Sequence, residues 1–316
     1  MTISVCMIVK NEEESLKTCL DSLKGIWDEL IIVDTGSTDN TKSVASGYTD
    51  KLYDFKWTGS FADARNYAFS KAKCDYIYSA DADEELDETN RRAFKALKEN
   101  LDPQIDIVQM YYCNQMENNT IYNFDRELRP KLYKRLRTFT WVEDIHEEVR
   151  SLPLVYDSDI EIIHRPKGNH AERDLAAFER VIEANEGRPM SERLTDIYAK
   201  ELLINGDKEN FARALGYFEM LCDLEGQSPE NLKRNFALAA MCAYRTGDDL
   251  ALYKYGLRGV AEDPSSELCC CLGMFFRDKG DLNEARIWAY NAAYETEPVL
   301  CVSYKEELAV KLLEDL

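Results

Sequence analysis

Apolar positions in the first third of the chain fall in short continuous runs, the pattern of strands covered on both faces. Ile3 to Val9 and Glu29 to Asp34 have the length and β-branched content of core strands, and Lys51 to Phe55 and Tyr76 to Tyr78 repeat the pattern in shorter form. Between these runs the period switches to that of a helix. Leu16, Leu20 and Leu23 mark one inward face that ends near Gly25, Phe61 to Ala68 opens a second helix, and Glu88 to Asn100 forms a third. Strand and helix alternating in this way predict a parallel sheet with crossover helices.

From Ile105 the pattern changes. Ile105 to Cys113 and Arg129 to Lys134 read as strands, with Trp141 to Val149 and Leu154 to His164 extended as well, so the sheet is expected to become mixed and to close near Pro166. After Lys167-Gly168-Asn169 the chain reads as helical throughout. Gly247-Asp248 and Gly280-Asp281 lie 33 residues apart, Pro264 and Pro298 lie 34 apart, and Gly206-Asp207 marks an earlier, less regular unit. Gly273, Phe276, Gly280, Ala285, Ala289, Ala292 and Pro298 resemble a tetratricopeptide repeat, in which small residues let helices approach and a proline ends each unit. Ala240, Gly247, Gly256, Gly259 and Pro264 echo it one unit earlier, with glycines where alanines are usual. The expected organisation is an α/β domain over 1–168 and an all-α, tetratricopeptide-like domain over 169–316.

Charge narrows the partners. With 59 acidic and 39 basic residues the formal net charge is −20, which argues against a general nucleic-acid binder and requires any anionic ligand to meet a cation or basic groups at its site. The ten cysteines show no metal-ligand spacing, and Cys269-Cys270-Cys271 sits in an apolar helical pattern, so packing in a reducing, cytoplasmic setting is the expectation. Ile3 to Val9 lacks a basic n-region and a small-residue cleavage site and reads as a strand, not a signal peptide. No apolar run reaches the ~20 residues of a transmembrane helix.

Candidate chemistry collects where the predicted strands end. Lys10-Asn11-Glu12, Asp34-Thr35-Gly36-Ser37, Arg65-Asn66 and Asp81-Ala82-Asp83 would all reach one rim of a parallel sheet, the edge at which such sheets bind ligands. Asp81 and Asp83, at i and i+2, offer oxygen ligands to a hard divalent cation that also holds phosphates. An acidic helix start before Glu88 is the plainer account of the same residues. Glu84 and Glu85 fit that helix start or a supporting role.

The first ~165 residues resemble a family 2 glycosyltransferase of the GT-A fold, a Rossmann-like nucleotide-sugar-binding architecture. They are especially similar to the branch holding the SunS-type peptide glycosyltransferases and related enzymes with tetratricopeptide tails. The resemblance is carried by Ser4-Val5-Cys6-Met7-Ile8-Val9-Lys10-Asn11-Glu12-Glu13, Ile31-Ile32-Val33-Asp34-Thr35-Gly36-Ser37-Thr38-Asp39, Lys56-Trp57, Phe61-Ala62-Asp63-Ala64-Arg65-Asn66, Ala80-Asp81-Ala82-Asp83-Glu84 and Ile145-His146-Glu147-Glu148-Val149. It implies a UDP-sugar donor. Glu12 would bind ribose hydroxyls, Asp34 the base, and Arg65 the diphosphate or ribose. Asp83 would bind Mn2+ or Mg2+, Asp81 the ribose or metal-bound water, and His164 would complete the metal shell.

Inverting transfer also needs a base opposite the leaving group. The resemblance places the pair His146-Glu147 on the acceptor side. Glu147 is the expected base, with Asp144 and Glu148 behind it and His146 orienting the base or a sugar hydroxyl. The helical tail would hold a protein, peptide or glycan acceptor, since stacked repeats form extended grooves in which Tyr198, Tyr217, Tyr244 or Tyr255 would be contacts if not core. The alternative is an inactive transferase-like domain serving as a tetratricopeptide adaptor. A sugar nucleotidyltransferase fits less well, because Lys10-Asn11-Glu12-Glu13-Glu14 is opposite in charge to a phosphate loop.

Overall fold

The structure, a computed structural model, describes residues 1–113, 126–137, 141–142, 148–149, 152–165, 171–185 and 187–316, with side chains excepted at 141, 142, 148, 149 and 171. The chain divides into two compact units, Met1–Gly168 and Asn169–Leu316.

The first unit is built on β1 (Ile3–Val9), β2 (Glu29–Asp34), β3 (Leu52–Asp54) and β4 (Tyr76–Ala80), which pair in parallel in the order β3-β2-β1-β4. Their connections are α1 (Leu16–Ser22), α2 (Thr41–Ser46) and α3 (Phe61–Lys71). The strands lack alternation because both faces are covered. Ile3, Val5, Met7 and Val9 point into a core with Leu16, Leu20, Leu23 and Ala45, whereas Cys6 joins Ile31, Val33, Ile77 and Ala68 of α3 on the opposite face.

Beyond β4 the sheet becomes mixed, as the change of pattern at Ile105 predicts. A two-residue strand β5 (Glu84–Glu85) follows, then α4 (Glu88–Asn100), β6 (Ile107–Cys113) and β7 (Glu127–Lys134). Next come the short β8 (Trp141–Val142) and β9 (Glu148–Val149), which pair with each other, and β10 (Val155–His164). The full order is β3-β2-β1-β4-β7-β6-β10-β5, with β7 antiparallel to both β4 and β6, and β6 parallel to β10. The helix-start reading of Glu84 and Glu85 is overturned. They form β5, antiparallel to the end of β10, and α4 is instead capped by Asp87, whose side chain accepts from the Asn90 N–H.

The second unit is helical, as expected. It comprises α5 (Ala171–Ala184), α6 (Glu192–Asn205), α7 (Lys208–Cys222), α8 (Pro229–Thr246), α9 (Asp249–Glu262), α10 (Ser266–Asp278), α11 (Leu282–Tyr290) and α12 (Ala309–Glu314). The 33-residue repeat has a local cause. Gly247 and Gly280 both take the left-handed conformation after a helix, at φ 83° and 82°, and Asp248 and Asp281 then accept the Ala251 and Glu284 N–H groups that start the next one. At Gly206 the chain is extended instead (φ −67°, ψ 134°), and Asp207 starts α7 through a reciprocal cap with Asn210, so this earlier unit is irregular in geometry too. Cys269, Cys270 and Cys271 are core residues. So are Tyr198, Tyr217 and Tyr255, which removes them as groove contacts; Tyr244 is half-buried and donates to Asp278.

Candidate functional site

Three parallel strands deliver their carboxyl ends side by side, with Val9 opposite Asp34 and Met7 opposite Ala80. The loops after β1 and β2 are laced together. Asn11 takes a left-handed conformation (φ 56°), which asparagine tolerates; its N–H donates to Ser37 Oγ at 2.9 Å and its Oδ1 accepts the Thr38 N–H at 2.8 Å. The Glu12 N–H donates to Thr41 Oγ1 at 2.7 Å, and its carboxylate accepts the Ser15 hydroxyl. Asp34 is buried, and its Oδ2 accepts the N–H groups of Gly36 and Ser37, each at 3.0 Å. Glu12, on the loop after β1, and Asp34, at the end of β2, therefore stand at neighbouring strand ends whose loops brace each other.

Arg65 reaches the rim from α3. Ser60 caps that helix by accepting the Asp63 N–H, and the small buried Ala64 and Ala68 allow it to lie close on the sheet. The guanidinium donates from Nη1 to Ser79 Oγ at 2.9 Å and from Nη2 to Asp81 Oδ1 at 2.6 Å. Lys131 of β7 stands on the other side, with Nζ 3.8 Å from Asp81 Oδ2 and 2.6 Å from Glu84 Oε1.

These charges set one another. Burial pushes the Asp81 carboxyl up, but Lys131 and Arg65 outweigh it and hold the group down at about 2. Burial and the Asp81 charge lift Glu84 to about 7 against the pull of Lys131. Burial works against the Lys131 ammonium, yet Glu84 and Asp81 raise it above the usual lysine range.

The second pair is Asp83 with His164, residues 81 positions apart. The β5–β10 pairing sets His164 opposite Glu84, and the Arg165 N–H donates to the Asp83 carbonyl at 2.8 Å. His164 Nε2 then lies 3.1 Å from Asp83 Oδ2, with the imidazole against the Tyr112 ring at 4.9 Å between centroids. A carboxylate oxygen beside an imidazole nitrogen is a donor pair that suits Mn2+ and tolerates Mg2+. Among the described residues no group of three or more His, Cys, Asp or Glu side chains gathers as a metal cluster. A cation here would draw its remaining ligands from water or phosphate, as Mg2+ commonly does.

Of the residues singled out from sequence, the structure thus joins Arg65 to Asp81 and Asp83 to His164, and sets Glu12 and Asp34 at the adjoining strand ends. Asp81 is expected among the metal ligands, but its Oδ1 is taken by Arg65 and its Oδ2 faces Lys131. Asp144, His146 and Glu147 lie outside the described residues, between β8 and β9 in sequence. Sequence reasoning missed Lys131, Ser79 and Tyr112. A faint signal for Lys131 exists in Arg129 and Lys131, basic at alternate positions of a predicted strand.

The glycosyl transferase family 2 model matches residues 4–161. A TPR repeat-containing protein of Synechococcus elongatus is 48% identical over 84 residues, which are 27% of this chain and 21% of that protein. The SPbeta prophage-derived glycosyltransferase SunS of Bacillus subtilis is 35% identical over 92 residues, 28% of this chain and 22% of SunS. The chain therefore matches about a fifth of the length of these two curated relatives. Glucosyl-3-phosphoglycerate synthase from Mycobacterium tuberculosis, solved in complex with Mn2+ and UDP-glucose, is similar at a TM-score of 0.41 and 15% identity, over 60% of this chain and 80% of that one. The family match runs through half of the chain, from β1 into β10, and takes in the rim that carries Glu12, Asp34, Arg65, Asp81 and Asp83; the chain belongs to glycosyl transferase family 2.

Proposed function

We propose that this protein moves a sugar from a UDP-sugar to a protein, peptide or glycan acceptor, with inversion and with a divalent metal, Mn2+ or Mg2+. The observation that carries the reading is the juxtaposition, across one short turn, of the Arg65–Asp81 pair and the Asp83–His164 pair. A bound cation would be held by Asp83 and His164 and would supply Lewis-acid neutralisation of charge on the departing diphosphate.

The chain's own residues do the rest. Arg65 faces the anionic part of the donor. Asp81, held ionised by its two cations, accepts hydrogen bonds from ribose or from bound water. Glu12 and Asp34 receive the nucleoside at their braced strand ends. Glu147 is the base that takes the acceptor proton, with Asp144 and His146 supporting it. The helical unit binds or positions the acceptor. Among the described residues no helix is long and apolar enough to cross a membrane, and the ten free thiols, seven of them buried, favour a reducing, cytoplasmic setting.

The test is donor hydrolysis by the purified full chain, offered a panel of UDP-sugars with Mn2+. UDP release that stops on chelation supports the reading. No UDP release from any of them, with or without a candidate acceptor, sinks it and favours the adaptor alternative.

A further inference from the structure

We infer that Lys131 is a positioning residue of the donor site, stapling the turn Asp81-Ala82-Asp83-Glu84 in one geometry through both of its ends. The inference rests on the nucleotide-sugar reading above.

Lys131 comes from β7, whose Leu132 pairs with Tyr78, so the lysine emerges beside the strand that delivers Asp81. Its side chain is 7% exposed, and its ammonium has the Tyr78 and Tyr112 rings at 5.9 and 5.6 Å. An ammonium buried this deeply is sustained only by anionic partners. Glu84, 3% exposed and 2.6 Å away, already satisfies that requirement. What a counter-ion role leaves unexplained is the placement of the pair directly behind Asp81.

Asp81 is a third open to solvent and therefore within reach of a ligand. It has Arg65 on Oδ1 and Lys131 towards Oδ2. Arg65 alone is hydrogen-bonded to Asp81; the Lys131 ammonium, 3.8 Å from Oδ2, adds a through-space attraction on the second oxygen that opposes rotation of the carboxylate about its bond to Arg65. The Glu84 N–H closes the turn onto the Asp81 carbonyl at 3.2 Å. Lys131 thus holds the side chains at both ends of a four-residue turn, and Asp83, between them, inherits its orientation towards His164.

The single change Lys131→Met would bury the Glu84 carboxylate without its cation and endanger the fold. The test therefore compares Glu84→Gln with Lys131→Met/Glu84→Gln, in which the buried pair is neutral, after thermal unfolding has shown both to be folded. UDP affinity is read by calorimetry with and without Mn2+. The double variant is expected to bind UDP about tenfold more weakly than Glu84→Gln, the loss of one nearby cation that orients Asp81. Once Asp81 is replaced (Asp81→Asn/Glu84→Gln), adding Lys131→Met should weaken UDP binding no further.

Equal affinity in the first two variants would overturn the assignment and leave Lys131 as the counter-ion of Glu84. Full additivity with Asp81→Asn would overturn it too, by pointing to a direct contact between Lys131 and the ligand. If the unmodified chain binds no UDP, the nucleotide-sugar reading itself fails and carries this inference with it.

Discussion

Charge at single residues organises both ends of the sheet. At the carboxyl rim, Arg65 and Lys131 share Asp81. At the opposite end the buried Glu29 accepts the Ser4 hydroxyl at 2.5 Å, the Lys51 ammonium at 2.5 Å and the Lys73 N–H at 2.8 Å. Ser4 lies opposite Glu29 in the β1–β2 register, so this cluster helps fix which loop residues face each other at the rim. Burial pushes the Glu29 carboxyl up, but Lys51, Ser4 and the Lys73 N–H outweigh it and hold it below its usual 4.5. A lowered acid pKa stabilises the fold above the unfolded value, and that contribution is lost as pH falls through the folded one. Glu29→Gln should therefore cost about 1–3 kcal/mol near neutrality. Its deficit against the unmodified chain should shrink as the pH drops below 4.5. Chemical denaturation at a series of pH values measures this; a deficit that does not change with pH would contradict it.

Elements were legible in the sequence wherever a local rule determined them. The runs Ile3–Val9 and Glu29–Asp34 became β1 and β2 at the expected bounds, and the Gly-Asp repeats became paired helix stops and starts. What could not be read was set by distant pairing. Nothing near Glu84 indicates that it forms a strand with the end of β10, and nothing near Lys131 indicates that β7 lies against β4. The site residues follow the same division: Asp81 and Asp83 stand out by spacing, and Arg65 and His164 through the family resemblance, but Lys131, Ser79 and Tyr112 reach the site only through sheet order.

The glycines in place of the usual repeat alanines have a packing reason at Gly259. A Cβ there would lie 2.6 Å from Leu268 Cδ2 and 2.9 Å from Phe236 Cβ. Gly259→Ala should cost about 1–3 kcal/mol through overpacking between α8, α9 and α10. In α7, a Cβ at Gly216 meets nothing within 4 Å. Gly216→Ala should instead stabilise by about 0.5–1 kcal/mol, from the backbone freedom glycine loses on folding. Thermal unfolding of the two variants should give shifts of opposite sign, and shifts of the same sign would refute the packing argument.

At the scale of the whole molecule, a formal charge of −20 opposes the approach of a nucleoside diphosphate. On the proposed reading, attraction would come from Arg65 and a bound cation at short range, where salt screens less than it does between exposed charges farther apart than the ~10 Å Debye length at 0.1 M. UDP affinity, measured with saturating Mn2+, should therefore stay level or rise as salt increases from about 0.05 to 0.3 M. A steep fall, as for a ligand drawn in by a broad basic surface, would contradict this. On the proposed reading the rim at Asp83 is a metal-dependent UDP-sugar site. Thermal shift of the full chain against UDP-, GDP- and CMP-compounds, with and without Mn2+, tests it most directly. Stabilisation by UDP compounds that requires Mn2+ and shrinks in Asp83→Ala is the predicted result, through preferential binding to the folded state; a shift with GDP or CMP compounds alone, or a UDP shift unchanged by Asp83→Ala, would contradict it.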